Sequence, residues 1–101
     1  MNVEDNIAVP REKMGAFCRK HHICKLAFFG SVLREDFSPT SDVDVLVEFE
    51  PAYTPGLDFF AMETELGAIL GRKVDLHTRA SLSKYFREQA LAEAEVQYVA
   101  S

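Results

Sequence analysis

No uninterrupted apolar run in this 101-residue sequence exceeds four residues, Leu26 to Phe29, which excludes a bilayer-crossing helix, since that needs about 20. The first stretch, Met1-Asn2-Val3-Glu4-Asp5-Asn6, carries acidic residues where a secretory signal carries basic ones, and no apolar segment follows it. Cytoplasmic residence without membrane contact is the expectation. Cysteine is scarce: Cys18 and Cys24 have neither a CxxC spacing nor a Cys-His group beside them. That disfavours a zinc site and a disulfide framework, and both are expected as buried free thiols. Positive charge is in deficit, with 11 Lys and Arg against 16 Asp and Glu for a net charge of -5. An overall electrostatic footprint for nucleic acid is thereby excluded, and any phosphate ligand must be held locally. Long Ser, Gln or Pro tracts are absent, and 48% hydrophobic with 27% charged residues is globular usage. The length suits one core, hence a single domain over residues 1–101.

Pro10 fits the first turn of a helix, and Met14, Phe17 and Cys18 recur at helical spacing toward His22. Ile23 to Phe29, closed by Gly30, is short for a helix and reads as a buried strand. After the loop Phe37-Ser38-Pro39-Thr40-Ser41, the segment Asp42 to Phe49 has the valines and the alternation of a second strand. Val43, Val45, Val47 and Phe49 should face a core, with Asp42, Asp44, Leu46 and Glu48 on the other side. Beyond Pro51 and Pro55-Gly56, the stripe Phe59, Met62, Leu66 and Ile69 predicts a helix that Gly71 caps. Arg72 to His77 reads as a third strand, and Ser81 or Ser83 starts a helix that runs to about Glu93. Val96, Tyr98 and Ala100 suggest a final edge strand. This order gives an α/β (α+β) fold, a small mixed sheet with helices packed on it.

The chemistry concentrates in a few residues. Carboxylates at i and i+2 of a strand share one face, about two rises of ~3.3 Å apart, so Asp42 and Asp44 can converge on hard cations. Asp75, alternating against Val74 and Leu76, is the candidate third carboxylate on another strand. Carboxylates this close repel by about 1–4 kcal/mol at 4 Å, a cost that a cation would offset. Taken alone, the pair also suits a turn residue followed by a solvent-facing strand position. Gly30-Ser31 closes a strand before a short helical segment, Val32 to Glu35, and such a corner suits phosphate: glycine permits close approach and the hydroxyl can donate. A plain turn is the competing reading. Arg34 can offer forked donors to a triphosphate or pair with Glu35 or Asp36. The basic run Arg19, Lys20, His21, His22 and Lys25 reads as a solvated helix end favouring the dipole. His77 shares the strand face of Asp75 and could border the site, or be an ordinary strand-end histidine; Arg79, Lys84 and Arg87 read as a hydrated face.

Phe29-Gly30-Ser31, ten intervening residues, then Asp42-Val43-Asp44 followed by Leu46-Val47-Glu48-Phe49 resembles the signature of the polymerase-beta nucleotidyltransferase superfamily. With Ser41 before the pair and Lys73-Val74-Asp75-Leu76-His77 after it, the chain is similar over residues 24 to 98 to the minimal nucleotidyltransferase (MNT) family. The resemblance implies a polymerase-beta-like fold and a two-metal reaction. Asp42 and Asp44 would hold both magnesium ions, and Asp75 would share one and help deprotonate the acceptor hydroxyl. Gly30 and Ser31 would cradle the β- and γ-phosphates, with Arg34 and Ser41 as further nucleotide contacts. Val32 and Glu35 stand where a basic residue and a glycine are frequent in the family, and both lower the local positive charge.

The resemblance also implies a biological role. MNT proteins are commonly encoded beside a HEPN-domain ribonuclease and form a toxin and antitoxin pair with it. The implied activity is an antitoxin that transfers AMP from ATP, with magnesium, to a tyrosine hydroxyl of the toxin. Two other readings compete: a non-catalytic antitoxin that masks its partner by binding, and nucleotidyl transfer to a small-molecule hydroxyl.

Overall fold

The computed structural model describes residues 3, 6–35, 37–38 and 40–100; Pro39 of the expected loop and Asp36, a partner considered for Arg34, lie outside the described residues. Helix α1 spans Arg11–Lys20 and buries Met14, Phe17 and Cys18, the residues whose spacing predicts it. Pro10 lies one position outside the helix, its carbonyl accepting the Met14 amide at 2.9 Å. The chain reverses through His21 and His22, the latter at φ 59°, to enter β1, Ile23–Phe29. A single 3-10 turn, Gly30–Leu33, follows, two residues earlier than the helical segment expected over Val32 to Glu35.

Strand β2 is Val43–Phe49 and helix α2 is Asp58–Leu70. Gly71 ends α2 at φ 67°, its amide returning to the Gly67 carbonyl, so the expected C-cap is present. Strand β3 is Val74–His77, two residues shorter than the expected Arg72 to His77 because the Arg72 amide is still spent on the Gly67 carbonyl at 3.0 Å. Ser81 belongs to a 3-10 turn, Arg79–Ser81, in a reciprocal capping box with Thr78. Helix α3, Lys84–Glu93, therefore starts after Ser83, whose carbonyl accepts the Arg87 amide at 2.7 Å. The closing strand β4 is Glu95–Val99.

The four strands form one mixed sheet in the order β3-β2-β1-β4, with β1 antiparallel to both neighbours and β2 parallel to β3. Alternation then sorts the side chains. Val43, Val45 and Val47 join Phe17, Phe28, Met62 and Leu66 in the larger core beneath α1 and α2, with Phe59 and Ile69 packed at its margin. On the opposite face Phe29 and Leu46 meet Leu82 and Ala90, so α3 covers that face with a much smaller cluster. Cys18 is buried and its thiol is pushed up to about 12 by that burial, Arg19 opposing slightly. Cys24 departs from the expectation of burial: it is half-buried and its thiol donates to the Phe49 carbonyl at 3.5 Å. Among the described residues, no helix is long and apolar enough to cross a membrane.

Candidate functional site

The parallel pairing of β2 with β3 sets Asp44 directly beside Asp75, and Leu46 beside His77. Paired residues of parallel strands point to the same side, so the period of two that buries Val43, Val45, Val74 and Leu76 aims both carboxylates at the α3 face. Asp75 thus lies where its alternation predicts. Ligand atoms of Asp44, Asp75 and His77 all fall within 4.8 Å of one another.

His77 is the member that the sequence left undecided, and it borders the carboxylates directly. Its Nε2 lies 3.4 Å from Asp75 Oδ2 and 3.6 Å from Asp44 Oδ1. Its ring is held edge-on against Phe29, with centroids 5.4 Å apart. Asp44 and then Asp75 hold the imidazole above its ordinary range, against an opposing contribution from burial. The two carboxylates thus favour positive charge at this point of the sheet.

Gly30 is required by two independent features. Its φ of 76° is the left-handed region that side chains rarely adopt. A Cβ at this position would also stand 2.5 Å from Asp44 Oδ2. The missing side chain is the space that the carboxylate occupies. Next to it, the Ser31 hydroxyl donates to the Asp42 carbonyl at 3.3 Å, tying the corner to the start of β2.

Asp42 precedes β2, and its carboxylate is 4.0 Å from Lys73 Nζ. Two other candidate site residues have partners within the chain. Arg34 Nη2 lies 3.9 Å from Glu93 Oε1 at the end of α3, a partner far along the chain in place of Glu35. Ser41 closes its own loop: its hydroxyl accepts the Ser38 amide at 3.2 Å and meets the Ser38 hydroxyl at 3.0 Å. Arg72 holds that loop against β3 by donating to the Ser38 carbonyl at 3.3 Å and by lying 4.7 Å over the Phe37 ring. Val32, read as a loss of positive charge, is fully buried in the larger core. Its carbonyl accepts the Asn6 side-chain amide at 2.6 Å.

The basic run is also more than a helix end facing solvent. Lys20 and His21 both reach Glu65 of α2, at 2.8 and 2.9 Å, and His22 and Lys25 face Glu50 and Glu48 at 3.5 and 3.8 Å. Arg79 lies 3.9 Å from Glu48, and Arg87 donates to the Leu82 carbonyl at 3.1 Å. A cavity of about 330 Å³ opens between α2 and the start of β3, lined by Glu63, Thr64, Gly67, Arg72, Lys73 and Val74. Lys73 connects it to Asp42.

Two oxygen donors from adjacent strands, with a glycine cradle holding one of them inward, fit a hard divalent cation. The nucleotidyltransferase domain family matches the chain over residues 11–96. A provisionally named protein adenylyltransferase of Methanocaldococcus jannaschii is 34% identical over 89 residues, covering 88% of this chain and 95% of that protein. A solved structure provisionally described as a minimal nucleotidyltransferase is 35% identical, covers 94% of this chain and 95% of that one, and superposes with a TM-score of 0.73. At 18% identity, a chain from the complex of a tri-AMPylated Shewanella oneidensis HEPN toxin with its MNT antitoxin shares the fold, with a TM-score of 0.65 over 97% of this chain and 73% of that one.

Proposed function

This chain belongs to the minimal nucleotidyltransferases of the nucleotidyltransferase-domain family, and on that ground we propose that it is an antitoxin that transfers AMP from ATP to a tyrosine hydroxyl of a HEPN-domain ribonuclease. The observation that carries this reading is the side-by-side register of Asp44 and Asp75 next to the Gly30-Ser31 corner. The naming of the archaeal relative supports the adenylyl donor. The HEPN–MNT complex, with its tri-AMPylated toxin, supports the partner.

In this proposal Asp44 and Asp75, with Asp42, would hold magnesium ions, which would neutralise phosphate charge and favour the phenolate form of the acceptor tyrosine. Gly30 lets the backbone come close to the β- and γ-phosphates, and the Ser31 hydroxyl can turn from the Asp42 carbonyl toward a phosphoryl oxygen. Asp75 is 54% exposed at its side chain, which leaves an oxygen open to an incoming hydroxyl. It takes the hydroxyl proton as the tyrosine oxygen bonds to the α-phosphorus and the bond to the β-phosphate oxygen breaks, releasing pyrophosphate. Lys73 sets a positive charge 4.0 Å from the Asp42 carboxylate.

The test is a transfer assay with the purified chain, ATP labelled at its α-phosphate, magnesium, and a HEPN-domain protein encoded next to it. Label on a tyrosine of the partner is expected, and its loss in an Asp42→Ala/Asp44→Ala double variant. No transfer, or equal transfer by that variant, overturns the proposal. Full protection of growth by the same variant would instead establish masking by binding.

A further inference from the structure

We propose that His77 is itself a metal ligand, so that the site offers one imidazole nitrogen beside two carboxylates and prefers manganese(II) over magnesium. This rests on the metal-binding reading of Asp44 and Asp75 given above and goes beyond its all-carboxylate form. The three donors are set by the fold. Asp75 and His77 are i and i+2 on β3, and Asp44 is the register partner of Asp75 across the parallel pair. All three donor atoms lie within a 4.8 Å compass, whereas the Asp42 carboxylate is drawn toward Lys73.

The imidazole is aimed there by two constraints. Phe29 holds the ring edge-on at 5.4 Å, and the side chain is 22% exposed, so it is not free to swing into solvent. Nε2 sits 3.4 and 3.6 Å from the two carboxylates, longer than a good hydrogen bond to either. A nitrogen placed between two oxygens and bonded closely to neither is the arrangement into which a shared cation fits. The chemistry then sets the preference. Magnesium is held through oxygens and keeps its waters, while imidazole donors raise affinity for first-row transition ions.

Manganese(II) alone, added to the whole chain at pH 8 without nucleotide, is the probe. Pulsed EPR of the bound ion should show coupling to a directly bonded nitrogen in the native protein and none in His77→Gln. His21→Gln and His22→Gln should leave the coupling intact. Competition titrations should show the manganese-over-magnesium preference falling in His77→Gln by roughly 10-fold or more, the scale seen when even an orienting partner of a ligand is removed. Because the spectrum of the native chain decides the question, a poorly folding variant does not protect the proposal. Manganese bound without nitrogen coupling, or an unchanged preference in His77→Gln, overturns the imidazole assignment while leaving the transfer activity standing. A chain that binds no manganese overturns this proposal, while the transfer assay with ATP and magnesium decides the proposed function separately, because there the ion is also held by the triphosphate.

Discussion

On the α1–α2 face of the sheet, Val43, Val45, Val47, Val74 and Leu76 are packed against Phe17, Met62 and Leu66; on the α3 face, the intervening positions of the same strands hold Asp44, Leu46, Asp75 and His77. Neighbouring residues of one strand thus serve opposite ends. The first face gains free energy by removing apolar surface from water. The second is only part-covered by Leu82 and Ala90, and it sets the Asp44 and Asp75 carboxylates side by side, a repulsion that a bound cation would relieve. On the proposed function, stability and chemistry are separated by the pleat, with one residue of spacing between them.

That separation can be broken most visibly at Asp44. Asp44→Asn should slow AMP transfer by about 1000-fold or more, since several kcal/mol of charge stabilisation depend on the cation it helps to hold. The same change should leave stability in chelator at pH 8 unaltered or raise it by up to about 1–2 kcal/mol, by relieving repulsion from Asp75. Labelling rates and thermal unfolding of one sample measure both. A large loss of stability would place Asp44 among the structural residues and erase the contrast.

Leu66→Ala probes the other face. Leu66 is fully buried in the larger core, so its truncation should cost about 2–5 kcal/mol in denaturant unfolding. Transfer per folded molecule should hardly change.

Two glycines sharpen the comparison further. Gly30 and Gly71 have φ of 76° and 67°, and Ala at either should lose about 1–2 kcal/mol from that conformation. A Cβ at Gly71 meets nothing within 4 Å, whereas at Gly30 it runs into the Asp44 carboxylate. Gly71→Ala should therefore keep its activity, and Gly30→Ala should lose both metal affinity and transfer. Equal activity in the two variants would show that the cradle is irrelevant to the site.

These pairs also show what the sequence alone could reveal. The strand alternation around Asp44 and Asp75, the cap at Gly71 and the α2 stripe are local patterns, and each was legible because a short-period rule governs it. The partners that required distant contacts were not. Arg34 meets Glu93, Lys20 and His21 meet Glu65, and His77 meets Asp44, all through tertiary placement that no local spacing encodes. Val32 shows the converse: a residue noticed for the charge it lacks also fills volume in the larger core. That β2 and β3 run parallel, which brings Asp75 beside Asp44, needs a crossover such as α2, which the element order allows but does not dictate.

The smallest expected effect concerns a charge cluster built on the opposite rule, complementary instead of like-signed. Glu65 receives Lys20 at 2.8 Å and His21 at 2.9 Å, joining α2 to the end of α1. The Lys20 hydrogen bond, aided by His21 and opposed by partial burial, holds the Glu65 carboxyl below its ordinary 4.5. The unfolded chain therefore takes up this proton at a higher pH than the folded one. The stability contributed is present above pH 4.5 and is lost as pH falls through the lower folded value. With 34% of its side chain exposed, solvent and salt screen the pair, and its worth is at most about 1 kcal/mol. Glu65→Gln should accordingly unfold slightly more easily than the native chain at pH 6, with the gap closing as the pH is taken below 4.5 and narrowing in high salt. A gap that stays constant across both titrations would mean that Glu65 acts through shape and contact, and that charge complementarity contributes nothing to this end of the molecule.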